Sequence, residues 1–400
     1  MNEKIRQHFP ILENGIYVDS AAMSLTPKPV LDEMIQYYKN YNVNIGRGVY
    51  RLSQIATLKY ENANKKVRNF IGAKNIGEII FTKNSTEAIN MVAIGYSKWK
   101  KGDEVVTTTI EHHSNYVPWL KLKEKGVKIN IIEPNNQGIF DIDDFENAIN
   151  NNTKLVAVTH ISNVLGTITP IKKISNICVE KNNRNKPLLL VDGAQSVPHI
   201  KVDLNKLGCD FFTFSGHKML GPTGTGVLWV KDLNILEPTY FGGGMVGTVS
   251  KYDYTLTDGY GRYEAGTSNI AGGIGLGKAV DYLNDIGMEK IELHENRLTT
   301  KLLNGLNKIK GVNIYGPNDP NKIIGIVSFN IDGLHPHEVA LMLDESFCIM
   351  ARSGYHCCMP LMNQIKANEG TIRISIYLYN TEEDIDAILN AISQIALQGV

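Results

Sequence analysis

The chain has 400 residues, which is more than one ordinary core needs, and it carries 41 basic and 41 acidic side chains. This charge balance gives no electrostatic basis for binding nucleic acid or an anionic membrane, and 43% hydrophobic residues exclude a disordered chain. No apolar run reaches transmembrane length, and the first ten residues lack the apolar core of a secretory signal. Because five cysteines are too few and odd in number for a disulfide framework, we expect a soluble protein of the reducing cytoplasm.

Short apolar segments alternate with helix-patterned segments through the first half of the chain. These segments cover 77–82, 103–109, 127–132, 154–160 and 187–193. They are rich in Val, Ile and Leu without strict alternation, which is typical of strands covered on both faces. The alternation predicts an α/β fold with a mainly parallel, doubly wound sheet. Segments 210–216 and 225–231 are separated by a glycine-rich turn, which predicts a hairpin or a sheet edge.

The pattern changes near residue 281. The predicted elements that follow are a helical stretch to about Lys310, a strand over 323–331, a helix from about His335, a strand over 371–379 and a helix from an N-cap at Thr381 to about Leu397. This succession indicates a separate, smaller α+β domain.

The segment GGIGLGKA (272–279) falls one residue short of a phosphate-loop motif. Ala279 has no hydroxyl for Mg²⁺, and no convincing strand precedes the segment. We therefore expect a helix whose glycines allow close packing.

Two polar motifs follow predicted strands. SGHKMLGPTGTG (215–226) contains Lys218, flanked by Ser215 and His217, and VDGAQSV (191–197) places Asp192 at a strand end. A lysine there could form a Schiff base, and an aspartate could pair with a pyridine nitrogen. Alone, the lysine would be better explained by an exposed turn, and the aspartate could cap a helix. The occurrence of both after buried strands favours a cofactor site.

Two further strand ends carry polar residues. KNSTEAIN (83–90) places Ser85 and Thr86 at a helix start, where they could bind an anion or serve an ordinary N-cap. EHHSNYVPW (111–119) has two adjacent histidines that diverge too far to share a metal ion. Stacking on an aromatic cofactor suits one of them better.

The segment ARSGYHCCMP (351–360) contains adjacent cysteines, which do not ordinarily form a disulfide. Arg352 or a protonated His356 would favour a thiolate and thus a nucleophile. Two inert, half-buried cysteines are the alternative.

Together, SGHK, DGAQ, STEAIN, EHHSN, EAGTSN and RSGYHCCMPLM resemble the class V aminotransferase superfamily, most closely the SufS-type cysteine desulfurases. The resemblance runs from about residue 12 to residue 384. It implies fold type I of the pyridoxal-phosphate enzymes, with a mainly parallel seven-stranded sheet in a large domain (21–281). Residues 1–20 and 282–400 would form the small α+β domain that carries the cysteine loop.

The resemblance also implies a role for each motif residue. Lys218 would carry pyridoxal 5′-phosphate as a Schiff base, and Cys357 would form a persulfide. The other cofactor-binding residues would be Thr86, His112 (stacked on the ring), Asp192, Gln195, Ser215, His217 and, from the partner subunit, Thr267. The substrate carboxylate would be held by Asn163, Arg352 and Arg373. No metal site is expected.

The sequence departs from the family pattern at three positions. Tyr355 and Tyr50 stand where histidines are common, and Cys358 stands where a small residue is typical. These departures affect two expectations: how protons are transferred near the leaving sulfur, and which protein accepts the sulfur of the persulfide. We expect Cys357, not Cys358, to be the nucleophile, because Cys357 stands where the persulfide cysteine of the family stands. Adjacent side chains point in different directions, so we expect Cys358 to pack inward.

The implied function is conversion of L-cysteine to L-alanine by a homodimer that passes sulfur to a protein of iron–sulfur cluster assembly. A selenocysteine lyase, or an aminotransferase or epimerase of the same superfamily, is the alternative. A non-enzymatic scaffold with a metal or redox site at HCC would leave the pair of Lys218 and Asp192 unexplained.

Overall fold

The structure, a computed structural model, describes residues 3–135, 137–181 and 186–397. The strands of this part of the chain are β1 (Ile16–Tyr17), β2 (Glu78–Thr82), β3 (Glu104–Thr108), β4 (Lys128–Ile132), β5 (Thr153–Thr159), β6 (Leu188–Asp192), β7 (Phe211–Ser215), β8 (Gly226–Val230), β9 (Val246–Val249), β10 (Tyr254–Leu256), β11 (Val312–Tyr315), β12 (Ile326–Ile331), β13 (Ile349–Met350), β14 (Arg352–Gly354) and β15 (Thr371–Ser375). The helices are α1 (Glu3–Arg6), α2 (Lys28–Asn40), α3 (Arg51–Phe70), α4 (Ser85–Gly95), α5 (Val117–Lys121), α6 (Ile142–Ala148), α7 (Ile171–Glu180), α8 (Leu204–Leu207), α9 (Ile270–Ile286), α10 (Met288–Leu306), α11 (Pro336–Phe347), α12 (Met359–Gln364) and α13 (Glu382–Ala396).

A seven-stranded sheet in the order β2-β8-β7-β6-β5-β3-β4 forms the centre of the larger unit. Neighbours from β7 to β4 are parallel, and only β8 runs against both of its neighbours. The mainly parallel sheet is therefore confirmed. The strand pair β7–β8 is the predicted hairpin, but it does not lie at the sheet edge, because β2 pairs with β8 on its outer side.

A second, antiparallel sheet in the order β11-β12-β15-β14 forms the smaller unit. Helices α10, α11 and α13 pack with it around a separate apolar core that includes Leu298, Phe329 and Ile388. Thr381 is the N-cap of α13, as predicted, and its hydroxyl accepts from the backbone N–H of Asp384 (3.1 Å). The predicted α+β unit is thus confirmed.

The connection between the two units differs from the expectation of one helical stretch after residue 281. Helix α9 ends at Ile286, and α10 begins after Gly287, whose φ of 92° breaks the helix. The proposed boundary after residue 281 falls inside α9. Phe9 and Leu12 of the N-terminal segment belong to the core of the larger unit. The division at 21–281 stays a prediction.

The glycines of α9 lie where neighbouring elements approach closely. A Cβ at Gly277 would stand 2.6 Å from Cβ of Ala63 in α3, and one at Gly273 would stand 2.6 Å from the Tyr60 ring. The glycine-rich segment is therefore a packing helix, as predicted, and not a phosphate loop. In the described ranges, no helix is both long and apolar enough to cross a membrane.

The contact between α3 and α9 predicts the effect of a larger residue at position 277. Gly277→Val should lower the free energy of unfolding by about 2 kcal/mol, because it overpacks against the backbone-fixed Cβ of Ala63. Urea denaturation measures this change. Gly242→Val is the matched control, since a Cβ at Gly242 meets nothing within 4 Å. Equal stability of the two variants would contradict the close packing.

Candidate active site

Two neighbouring parallel strands, β6 and β7, end at the same edge of the central sheet. Asp192 is the last residue of β6, and Ser215 is the last residue of β7. A short 3₁₀ helix, Gly216–Lys218, follows β7 directly. The parallel alignment therefore brings Asp192 and Lys218 to one place, where ligands of open α/β sheets bind.

One cavity at this edge is lined by eleven of the twelve site residues predicted from the sequence. They are Thr86, His112, Asn163, Asp192, Gln195, Ser215, His217, Lys218, Arg352, Cys357 and Arg373. The twelfth, Thr267, is exposed and lines a different cavity with Tyr60 and Glu264. Within one chain, Thr267 is thus not brought to Lys218, and its contribution to a partner subunit stays a prediction.

Lys218 and Asp192 perturb each other's ionisation inside the cavity. Burial lowers the pKa of Lys218 to about 8, and the charge of Asp192 opposes this shift. Burial raises the pKa of Asp192, while the N–H of Ala194 (3.0 Å) and the charge of Lys218 oppose the rise. Asp192 thus caps a turn and faces the lysine as well. A buried amine that titrates near pH 8 can act as a nucleophile and as a base.

Gln195 has unused hydrogen-bonding capacity in the same cavity. Its Nε2 donates to the carbonyl of Ala21 (2.7 Å), which accounts for one of two amide protons. Its buried Oε1 has no hydrogen-bond partner among the described residues. An unsatisfied buried amide is costly, which points to a polar ligand at this position.

A group of hydroxyls and N–H groups forms an anion cradle at the start of α4. The N–H of Ser85 donates to Oγ of Ser215 (2.9 Å), and Oγ of Thr86 lies 2.6 Å from Oγ of Ser114. Asn84 is the N-cap, its side chain accepting from Glu87. The hydroxyls of Ser85 and Thr86 are therefore not needed for capping; they contact the hydroxyls of Ser215 and Ser114, and this group of hydroxyls at a helix start suits a phosphate.

Two histidines of the cavity are neutral. Burial, followed by the charge of Lys218, lowers the pKa of His112 to about 3 and that of His217 to about 4. Nδ1 of His112 accepts from the N–H of Ser114 (3.1 Å), so that the proton of the neutral ring resides on Nε2. A neutral, oriented imidazole suits stacking on an aromatic ring better than proton transfer.

The loop with the two cysteines has an unusual backbone. His356 and Cys357 have φ values of 50° and 55°, in the left-handed region that non-glycine residues rarely adopt. Such conformations persist only when surrounding contacts hold them. The N–H of His113 donates to the carbonyl of Cys357 (2.7 Å), and Nδ2 of Asn163 donates to that of His356 (2.8 Å). These contacts turn Cys357 towards the cavity.

The two cysteines have opposite environments. Cys357 is exposed and lines the cavity, whereas Cys358 is fully buried with its Sγ 3.3 Å from the carbonyl of Glu111. Burial, helped by the charge of Glu111, raises the pKa of the Cys358 thiol well above its usual range. The inward packing of Cys358 that the sequence predicted is therefore present in the structure.

His356 does not supply a positive charge to the thiol, contrary to one of our expectations. Its side chain is buried, and Nε2 lies 3.0 Å from Oγ1 of Thr371. Burial and the charge of Arg373 lower its pKa to about 2, so the ring is neutral. Arg352 lines the cavity with Cys357, and its effect on the thiol stays a prediction.

Arg373 lies on β15 at the small-domain side of the cavity and is 2% exposed. Its Nη1 donates to the carbonyl of Asn163 (2.9 Å), and Nη2 donates to Asp19 (2.8 Å). Nε has no hydrogen-bond partner among the described residues. A buried, fixed guanidinium of this kind can hold a carboxylate.

Sequence reasoning missed Asp19 and His113. Asp19 lies within the stretch that resembles the family, but an acidic residue there gives no sign of its contact with a residue 354 positions away. His113 supports the cysteine loop with its backbone N–H and with Nε2, which accepts from Met359 (3.2 Å).

The two tyrosines at positions where histidines are common do not line the cavity. Tyr50 is the N-cap of α3, and the Tyr355 hydroxyl donates to the carbonyl of Asn368 (2.9 Å). Among the described residues, no cluster of three or more His, Cys, Asp or Glu side chains is arranged to hold a metal ion.

Comparisons with known proteins agree with this geometry. Residues 16–388 match the family model described as aminotransferase class-V. A probable cysteine desulfurase of Halalkalibacterium halodurans is 46% identical, and the match covers 98% of this chain and 97% of the relative. A probable cysteine desulfurase of Methanothermobacter thermautotrophicus is 45% identical, and the match covers 99% of this chain and 98% of the relative. The apo structure of cysteine desulfurase from Thermococcus onnurineus is 42% identical with a TM-score of 0.95, covering 100% of this chain and 99% of its own. The Escherichia coli cysteine desulfurase CsdA is 32% identical with a TM-score of 0.91, with full coverage of both chains.

The environment of Lys218 predicts a pH dependence for its reaction with aldehydes. Because a neutral amine is required and burial lowers the pKa to about 8, borohydride-trapped labelling of the cofactor-free protein should rise with a midpoint near pH 8. Asp192→Asn removes the charge that opposes this shift, so its midpoint should move to lower pH. Peptide mass spectrometry measures the labelling. A midpoint near the ordinary lysine value of about 10.4 would contradict the assignment.

Proposed function

The chain belongs to the aminotransferase class-V family, and from this premise we propose that it is a cysteine desulfurase. It converts L-cysteine to L-alanine and keeps the sulfur as a persulfide on Cys357. The observation that carries the proposal is that an exposed thiol, Cys357, and a half-buried lysine, Lys218, line the same cavity.

The donor set of the cavity fits pyridoxal 5′-phosphate. Lys218 would hold its aldehyde carbon, and Asp192 would hold its pyridine nitrogen in the protonated form. The second amide proton of Gln195 would go to the phenolic oxygen, and His112 would cover the ring. The phosphate would be held by Thr86, Ser215, His217 and the N-terminus of α4. Hydrogen bonds within the protein already orient five of these side chains, namely Asp192, Gln195, His112, Thr86 and Ser215.

When bound, this cofactor supplies an electron sink that stabilises negative charge at Cα of the substrate and allows the Cβ–S bond to break. Lys218 serves as the base that takes the Cα proton. Its pKa of about 8 suits this task, because a base that titrates near the working pH can both accept and return a proton.

Arg373 and Arg352 would bind the carboxylate of L-cysteine, with Asn163 fixing both the Arg373 guanidinium and the cysteine loop. A guanidinium can hold a carboxylate through two parallel hydrogen bonds, which orients the bound amino acid. This fixed orientation brings the reacting bonds into line with the base and the thiol.

Cys357 receives the sulfur. Its thiolate attacks the substrate sulfur, an S–S bond forms and the Cβ–S bond breaks. The electron pair of the broken bond goes to Cβ, which takes up a proton equivalent to the one that the Cys357 thiol lost. The products are L-alanine and a protein persulfide, and no external oxidant or reductant is needed.

Other members of the same superfamily are the competing candidates. An aminotransferase or an epimerase would use Lys218 and Asp192 but would need no thiol in the cavity. A selenocysteine lyase would use the same lysine with a selenium substrate. The exposed Cys357, supported by His113 and Asn163, favours sulfur transfer to the protein.

We further propose that the protein is a cytoplasmic homodimer and that a sulfur-accepting protein of iron–sulfur cluster assembly takes the persulfide. The five cysteines are all free, which suits a reducing compartment. An exposed persulfide on Cys357 can be reached by a thiol of another protein.

The product assay with matched cysteine variants tests the proposal. Wild-type enzyme with reductant should release L-alanine and sulfide in equal amounts from L-cysteine. Cys357→Ser should lower sulfide release by about a hundredfold or more while still binding the cofactor, because the thiol acts after the amino acid is bound. Cys358→Ser is the control and should remain active, since its Sγ is buried. Full activity of Cys357→Ser, or pyruvate or D-cysteine as the product, would contradict the proposal.

The proposed dimer predicts a role for Thr267 in the cofactor site of the other subunit. Thr267→Ala should lose its visible cofactor band faster on dialysis than the wild type, because one phosphate ligand is missing. Thr248→Ala, on the exposed strand β9, is the control. Light scattering should report a dimer. A monomer that retains cofactor and turns over L-cysteine would rule out this role.

A further inference from the structure

Asp19 lies next to the paired strands β14 and β15, which carry the proposed carboxylate-binding arginines. The N–H of Val18 donates to Met350 (3.0 Å), and the carbonyl of Val18 accepts from Ser375 (2.8 Å). Asp19 itself forms a parallel bridge with Ser375. The backbone of Asp19 is thus fixed to the end of β15 on one side and to β13, which leads into β14, on the other.

The two arginines stand directly opposite each other. In the antiparallel pair β14–β15, Arg352 is the Cα partner of Arg373. Like charges at directly opposite positions of a sheet repel and are destabilising. An anion beside them offsets this repulsion, and the carboxylate of Asp19 lies at this position.

The Asp19 carboxylate contacts both guanidinium groups, but unequally. Oδ1 accepts from Nη2 of Arg373 at 2.8 Å, whereas Oδ2 lies 3.6 Å from Nη1 of Arg352. The Arg373 side chain is 3% exposed and the Arg352 side chain is 46% exposed. Arg373 is therefore held in one orientation, and Arg352 remains able to move.

We infer that Asp19 is the positioning residue of the substrate-carboxylate site, which fixes Arg373 and keeps Arg352 beside it until a carboxylate binds. The inference rests on the proposed function, because the ligand is an α-amino acid. The two arginines and Asp19 together carry one net positive charge, which matches a single carboxylate. Asp19 acts only through the arginines and does not touch the reacting atoms.

A pair of ligands that differ in the carboxylate separates this role from a general structural one. L-alanine carries the α-carboxylate and ethylamine lacks it, and both can be titrated into holoenzyme through the visible band of the cofactor. In Asp19→Ala, the affinity for L-alanine should fall roughly tenfold, because a charge-assisted hydrogen bond to Arg373 is lost. The affinity for ethylamine should change less than about twofold.

Two further variants complete the experiment. Asp19→Asn keeps an oxygen acceptor for Arg373 but loses the negative charge beside the arginines, so its loss of affinity for L-alanine should be intermediate. This variant carries the test if Asp19→Ala does not fold. Asp384→Asn is the control, because the contact of Asp384 with Arg6 (2.8 Å) is also an Arg–Asp pair but lies outside the cavity. Asp384→Asn should leave the affinities for L-alanine and for ethylamine unchanged.

The possible results are distinct. Equal weakening of both ligands in Asp19→Ala would show a general structural role and overturn the inference. Unchanged or tighter binding of L-alanine would overturn it as well, because Asp19 would then merely compete with the ligand. If wild-type holoenzyme binds L-alanine no better than ethylamine and releases no alanine from L-cysteine, the proposed function itself fails, independently of Asp19.

Discussion

The parallel alignment of β6 with β7 is the constraint on which the cavity depends. Since the two strands end together, Asp192, which is buried, and Lys218, which is half-buried, meet at one edge of the sheet. Burial raises the pKa of one group and lowers the pKa of the other, and each charge opposes the shift of its partner. Asp192 provides the carboxylate for a pyridine nitrogen, and Lys218 provides an amine that is reactive near neutral pH, so the proposed cofactor site needs both residues.

The small antiparallel sheet supplies the other half of the site. Arg352 and Arg373 lie opposite each other on β14 and β15, and Cys357 follows Arg352 by five residues. The proposed carboxylate site is therefore on this pair of strands, and the proposed sulfur acceptor is on the loop that directly follows β14. Contacts from His113 and Asn163 join this unit to the larger one and maintain the left-handed backbone at Cys357.

Much of this arrangement could be predicted from the sequence, for identifiable reasons. The strand ends at Asp192 and Ser215 follow mainly apolar runs, and segment 272–279 has Ala279 where a phosphate loop needs a hydroxyl. The break at Gly287 was missed, because a glycine within a helical pattern does not by itself end a helix. The neutral state of His356 and the contact of Asp19 with Arg373 depend on burial and on distant partners, which local patterns do not report.

The central claim is that Cys357 takes sulfur from L-cysteine bound beside Lys218. Mass spectrometry of enzyme quenched during turnover of L-cysteine labelled with a heavy sulfur isotope tests it most directly. The account predicts that one labelled sulfur atom is added to Cys357 and that Cys358, which is buried, stays unmodified. Labelled sulfur found first and mainly on Cys358, together with an active Cys357→Ser variant, would contradict the account.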